Sequence, residues 1–268
     1  MTLDNPSIRQ AAQLLWQHWQ AGTVLDALPA HCRPYTRTQG YAVQETLPEV
    51  AGRRVLGWKI AATSAVGQAH IQVGGPIAGR LLDGQIYPPG ATVPSQGNRM
   101  RVAEPEMAFT LAHDLPAQPR PYTTDEVMQA VASLHPSLEM PDSRFAVFTQ
   151  AGEAQLLADN ACAHHFILGP AAPESWRTLD LSTHPVTAQV QLANGEVWQR
   201  EGSGAAVLGD PRAALTWLVN ELSSLHIDLR AGQFITTGTC MTPLAIEPGD
   251  AVQADFGIVG KISMRFAA

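Results

Sequence analysis

The sequence predicts an α+β fold with a mostly β core. Two observations carry the expectation. Helical periodicity is concentrated in the first fifth of the chain, with two later inserts. The remainder breaks into short apolar or alternating runs between turn residues, and the 268 residues include 22 Gly and 20 Pro. Helices segregated from a long run of strands define the α+β class.

Taken in order, residues 7–21 place apolar side chains at helical spacing and stop at Gly22. A second helix is expected over 37–48, ahead of the turn Ala51-Gly52-Arg53-Arg54. The run VLGWKIAATS (55–64) reads as a strand or a buried turn, and VGGPIAGRLLDGQIYPPGATVP (73–94) as loops between short strands. EPEMAFTLAHDLP (104–116) is a strand ending in a turn; Pro105 lacks an N–H, so that strand should be an edge or bulged there. A helix is expected over 122–134, with Thr and Asp available to cap it, and 154–169 should mix a turn with a buried strand. Residues 186–202 alternate about Asn194-Gly195, the strongest hairpin signal in the chain. Asp210-Pro211 opens a helix to about 225, Asp as N-cap and Pro at the first position. The tail is a set of short strands, with Glu247-Pro248-Gly249-Asp250 as a turn before one of them. The expected organisation is an N-terminal helical segment, 1–50, on a β-rich domain, 51–268, the two forming one structural unit.

Composition excludes several classes. The chain is 45 % hydrophobic and 15 % charged with a net charge of −7. It has neither a basic run nor aromatic–basic interleaving, so nucleic acid is not an expected partner, and an acidic balance gives no case for an anionic membrane. No window approaches the roughly 18 uninterrupted apolar residues of a membrane span. The start, MTLDNPSIRQ, lacks the pattern of a secretory signal. Cys32, Cys162 and Cys240 are odd in number and far apart, which implies no disulfide framework and a cytoplasmic setting.

One short stretch raises a chemical question. In RVAEPEMAF (101–109), Glu104 and Glu106 stand two residues apart in an apolar run. On a strand they would share one face. Adjacent buried carboxylates repel and are costly unless compensated. A hard divalent cation would compensate them, and Glu139 in SLEMPDSR offers a third carboxylate in an apolar setting. The alternative is that one Glu faces solvent while the other pairs with an arginine such as Arg101 or Arg144. Lys59 is a lone cation among apolar residues, either a functional amine or a lysine that snorkels or pairs with a carboxylate. TTGTCMTP (236–243) is a Gly-hinged loop whose hydroxyls and N–H groups could cradle an anion, or a plain turn. Cys162 with His164 and His165 lacks the second ligand pair of a zinc site, and EGSGAAVLG matches neither a nucleotide loop nor a nucleophile elbow.

GWKIAATS, EPEMAF, LEMPDSR, LADNACAHHFILG, AALTWLVNEL and the tail from TTGTCMTPLAIEPGD onward occur together in one order. In that order and spacing the chain resembles the 2-keto-4-pentenoate hydratase and 4-oxalocrotonate decarboxylase branch of the fumarylacetoacetate hydrolase superfamily, from about residue 8 to 266. The resemblance implies a mixed β-sandwich-like roll with flanking helices, a homo-oligomer, and Mg²⁺ or Mn²⁺ held by three carboxylates. By motif these are Glu104, Glu106 and Glu139. It implies Lys59 as the lysine that moves protons or stabilises an enolate. Thr239, with Gly238 and the N–H groups of its loop, would bind the substrate carboxylate, and Arg144 and Arg80 are candidates for a second one. The implied substrate is a small 2-hydroxy-2,4-dienoic acid, the enol of a 2-keto acid. The implied reaction is hydration to a 4-hydroxy-2-oxo acid in aromatic catabolism, in association with a pathway decarboxylase or aldolase. Decarboxylation of a 2-oxo-3-hexenedioate and hydrolysis of an acylpyruvate are the alternatives, ahead of a non-catalytic member. One departure stands out. Where many hydratases carry an Asp after the lysine motif, this chain has Ile77 and Ala78, and Asp83 lies several residues on.

Overall fold

The structure, a computed structural model, describes residues 3–268. Met1 and Thr2, where the expected helical segment and the signal reading both begin, lie outside the described residues. Two helices lead, Asn5–Ala21 and Arg37–Ala51. Asp4 caps the first by accepting from the Ser7 N–H at 3.0 Å, and Gly22 closes it in the left-handed region. The second runs three residues past its expected end. The Arg53 N–H returns to the Pro48 carbonyl over a left-handed Gly52, a C-terminal closure that Pro48 does not obstruct.

The larger sheet is ordered Ile77–Leu82, Val55–Ala61, Phe234–Thr239, Val102–Leu111, Val131–Met140, His165–Leu168, Ile86–Tyr87, with Leu244–Ala245 extending the pairing on Val102–Leu111. Its two outermost strands, Ile77–Leu82 and Ile86–Tyr87, are consecutive in the chain, joined only by Asp83, Gly84 and Gln85. Strands at opposite ends of a sheet can be that close only if the sheet curls back on itself, so it forms a roll with an inner and an outer face. The smaller sheet, ordered Thr92–Val93, Lys261–Phe266, Ala251–Asp255, Pro185–Gln191, Val197–Ser203, contains the hairpin expected at Asn194-Gly195. Its buried Val186, Ala188, Val190, Val252 and Ala254 join Phe109 and Leu134 of the roll in one apolar cluster. The helix Pro211–Ser224, capped by Asp210, adds Leu215, Leu218 and Leu222. Fully burying each such side chain is worth about 1.5–3 kcal/mol. Among the described residues no helix is long and apolar enough to cross a membrane, and Cys32, Cys162 and Cys240 are free and buried.

Two expectations are corrected and a third is resolved between its alternatives. The helix expected over 122–134 is only Thr124–Gln129, started by a capping box between Thr123 and Glu126. Val131–Met140 is a ten-residue strand instead. Ser133, Ser137 and Glu139 alternate there with Leu134, Leu138 and Met140, a period of two that His135 and Pro136 disguise. Within 73–94, Ile77–Leu82 is a fully buried strand rather than loop, and a short helix, Ala65–Ile71, precedes it. Pro105, expected at an edge or a bulge, sits on an interior strand beside a bulge in the pairing with Phe234–Thr239. Its carbonyl accepts from the Cys240 N–H at 2.8 Å, so the side of the strand where its own N–H would lie faces the gap between Thr239 and Leu244. The Cys240 carbonyl, which a Pro105 N–H would have met, accepts from the Ser203 N–H at 2.9 Å instead, and the pairing is bulged just beside it between Thr236 and Thr239.

Candidate metal and substrate site

Cross-strand register assembles the site on the inner face of the roll. Glu104 and Glu139 are directly paired, and Glu106 is paired with Ser137 on one side and Thr239 on the other. Lys59 pairs with Thr236 and with Gly79 on its two flanking strands. Side chains two apart on a strand share a face, so all three glutamates and Lys59 converge. One ligand oxygen from each of Glu104, Glu106 and Glu139 lies within 4.8 Å of the others. Glu106 and Glu139 are buried, Glu104 half-buried, so Glu104 marks the side open to solvent.

Lys59 is 2 % exposed, with its ammonium 3.0 Å from Oε1 of Glu139 and donating to the Ala161 carbonyl at 3.1 Å. Burial works against the charged form, but Glu139 and then Glu104 outweigh it and hold the ammonium above its ordinary value. Burial and the neighbouring Glu139 push Glu104 up to about 7 against the pull of Lys59. Glu106 is driven well above the usual carboxylate range by burial, Glu139 and Glu104. Burial also raises Glu139, with Lys59 opposing.

Glu106 is aimed by two donors on one oxygen. The Thr236 hydroxyl donates to Oε2, as does the Gly238 N–H at 3.0 Å. Gly238 has φ +105 and a Cβ there would fall 2.3 Å from the Thr63 hydroxyl, so both its backbone angle and its neighbour require glycine. Oε1 of Glu106 and Oε2 of Glu139 are buried without a hydrogen-bond partner. Three ionised carboxylates against one ammonium leave a formal charge of −2. Orphaned hard oxygens carrying that charge fit one divalent cation.

Of the residues singled out in the sequence, Glu104, Glu106, Glu139, Lys59 and Gly238 are brought together. Thr239 lies beside them, but its hydroxyl donates to the Met241 carbonyl at 2.8 Å within its own turn. Arg144 is committed elsewhere: its Nε donates to Asp159, its Nη2 to the Asp159 carbonyl at 2.6 Å, and it stacks 4.2 Å over Trp19. Arg80 points to the outer face, in register with Trp58, over whose ring it stacks at 4.6 Å while donating to Gln44. Ile77 is buried, in register with Ala61 on the Lys59 side of its strand. Two contributors were not named individually by the sequence reading, Thr236, which it covers only as part of TTGTCMTP, and the Ala161 carbonyl. Thr236 had a visible signal, standing two residues before Gly238 in ITTGT; a main-chain carbonyl leaves none.

A family model for the fumarylacetoacetate hydrolase C-terminal region matches residues 81–267, and the chain belongs to that family. It is 34 % identical over 260 residues to a 2-keto-4-pentenoate hydratase of Paraburkholderia xenovorans, covering 96 % of this chain and 94 % of that protein. It is 33 % identical over 218 residues to a 4-oxalocrotonate decarboxylase of Pseudomonas putida, covering 81 % and 80 %. In fold it superposes on the 4-oxalocrotonate decarboxylase of Pseudomonas putida G7, solved with magnesium and adipate, at a TM-score of 0.86 over 99 % of both chains and 28 % identity.

Proposed function

We propose that this chain is a divalent-metal-dependent hydratase that adds water to a 2-hydroxy-2,4-dienoate, giving a 4-hydroxy-2-oxo acid in the breakdown of aromatic compounds. The observation that carries the reading is the buried set of Glu104, Glu106 and Glu139 with two orphaned oxygens beside the Lys59 ammonium. The 34 % identity to a 2-keto-4-pentenoate hydratase supports it. The three glutamates would hold Mg²⁺ or Mn²⁺, which when bound neutralises the site and polarises the oxygens of a chelating 2-oxo acid.

The chain's own groups account for the rest. Thr236 and the Gly238 N–H fix one oxygen of Glu106 and leave the other for ligation. Two of the three Lys59 N–H donors face Glu139 and Ala161, which leaves one for substrate. Kept charged by its neighbours, Lys59 would stabilise negative charge on the substrate's 2-oxygen as the 2-hydroxyl gives up its proton, and a proton returned at C5 gives the unsaturated ketone. Water then adds at C4 of the resulting unsaturated ketone, and a proton taken up at C3 completes the product. A neutral tail suits the site, because Arg80 and Arg144, the candidates for a second carboxylate, are already engaged.

The likeness in fold to a decarboxylase supports decarboxylation of a 2-oxo-3-hexenedioate as the second reading. One paired assay separates them. Purified protein is stripped with chelator, resupplied with Mg²⁺ or Mn²⁺, and offered 2-hydroxypenta-2,4-dienoate and 2-oxohex-3-enedioate. Metal-dependent loss of dienol absorbance without CO₂ is expected. CO₂ from the second compound would transfer the assignment to the decarboxylase, and silence on both with metal bound would remove both. A homo-oligomer belongs to the same reading and is checked by light scattering.

A further inference from the structure

Ala161, whose carbonyl holds Lys59, lies in an unusual piece of backbone. Asn160, Ala161 and Cys162 follow one another at φ 56, 50 and 61, three successive non-glycine residues in the left-handed region. Each such residue is costly, so the surroundings must over-determine the turn. The Asn160 side chain does so from one side. It accepts from the Arg80 N–H at 2.6 Å and donates to the Arg80 carbonyl at 2.7 Å, taking both main-chain groups of one residue on the roll's outermost strand. Gly79 permits the approach from the other. A Cβ there would come within 2.3 Å of the Asn160 carbonyl oxygen and 3.2 Å of the Ala161 Cβ. Gly79 is also the residue in register with Lys59, so its missing side chain lets the turn lie beside that lysine.

We propose that Gly79 and Asn160 are positioning residues for Lys59. The space left by one and the two backbone bonds of the other seat the left-handed turn so that the Ala161 carbonyl, with Glu139, fixes the ammonium and directs its remaining N–H to substrate. A lysine has a long flexible stem, and acceptors on two separate elements restrict it where one would not. The placement of Gly79 in PIAGRL, Asn160 in LADN and Lys59 in GWKI is thereby one arrangement rather than three. The inference rests on the role given to Lys59 above, but the seating can be tested apart from it.

The 268-residue sequence contains two lysines, Lys59 and Lys261, and the second is well exposed. In ¹⁵N-lysine-labelled protein a slowly exchanging ammonium resonance therefore reports Lys59, and its loss in Lys59→Met confirms the assignment. Gly79→Ala and Asn160→Gly are compared with wild type for this resonance, for kcat and KM on 2-hydroxypenta-2,4-dienoate, and for Mn²⁺ affinity. Asn160→Gly keeps the backbone freedom and removes only the clamp. Both variants should lose the resonance and drop kcat by about 10²-fold, the scale of an ångström-sized misplacement. KM and Mn²⁺ affinity should stay within about threefold of wild type. Asn160→Asp keeps the acceptor for the Arg80 N–H and should recover part of kcat. An unaltered resonance and kcat in the folded variants would overturn the proposal. So would kcat and Mn²⁺ affinity falling together, which would mean loss of the whole site. Should wild type turn over no dienoate, the functional reading fails and the resonance alone decides the seating.

Discussion

Across the four central strands of the roll, adjacent rows of side chains face opposite ways. Trp58, Ile235, Phe109 and Leu134 stand in register and are buried against the smaller sheet and the helix Pro211–Ser224. One residue along, the row begins with Lys59 and Thr236, and the same face carries Glu104, Glu106 and Glu139. The outer face gains free energy from apolar burial. The inner face has its own apolar cluster in Leu81, Phe166 and Phe234 but spends part of that gain, holding like charges together where water screens them poorly. Period-two alternation lets one strand do both, so the fold and the chemistry share residues in sequence but not partners in space.

Substituting one residue on each face should give opposite signatures. Glu106→Ala removes one of the three proposed ligands and should weaken Mn²⁺ binding by more than the 10–100-fold typical of losing a supporting residue, and abolish turnover. It also removes a buried carboxylate driven above its usual range by burial, Glu139 and Glu104, so the metal-free protein should unfold at a higher denaturant concentration than wild type. Phe109→Ala empties the outer face and should cost about 3–5 kcal/mol in denaturant unfolding, with Mn²⁺ affinity of the folded protein unchanged. If Glu106→Ala destabilises the metal-free protein as Phe109→Ala does, the inner face is not a centre of electrostatic cost.

The contrast also predicts a pH dependence. Glu104 in the metal-free fold sits at about 7, above its ordinary value of 4.5. A raised carboxylate contributes stability that is complete below about 4.5 and lost as pH rises through about 7. A bound cation requires the deprotonated forms and gains affinity over the same interval. The rise in melting temperature on adding Mg²⁺ to chelator-treated protein should therefore be small near about pH 5 and larger near about pH 8. A constant increment across that range would mean the cation binds elsewhere.

How much of this could be read in the sequence depends on whether the signal was local. The two leading helices, the Asn194-Gly195 hairpin and the Asp210-Pro211 helix start are set by caps and turns within a few residues, and each appears where expected. Glu104 and Glu106 raised the question of a cation by their spacing alone. Glu139 has no such neighbour and stands beyond the helix expected over 122–134. Only its register opposite Glu104 makes it part of the cluster. Thr236 and Ala161 are further from view, one joined to Glu106 by a cross-strand contact and the other acting through its backbone. Arg144 misled in the opposite sense: it stands close in sequence to Glu139, yet its guanidinium is taken by Asp159, whose position only the fold supplies.

The smallest expected effect lies furthest from both faces, at the hairpin tip. Gly195 has φ +92, and a Cβ there would meet nothing within 4 Å. Gly195→Ala therefore tests backbone conformation without steric crowding. Alanine at that angle should cost about 1 kcal/mol, read as a shift in the unfolding midpoint at constant slope. Turnover and Mn²⁺ affinity should not move, because the hairpin belongs to the smaller sheet and its hydrogen bonds to the roll, from Ser203 and Arg200 to the carbonyls of Cys240, Thr242 and Pro243, lie along its second strand rather than at the Asn194-Gly195 tip. A loss of turnover in Gly195→Ala, with the fold intact, would show that the outer sheet controls the inner face, and the separation between the two faces would then be the wrong description of this molecule.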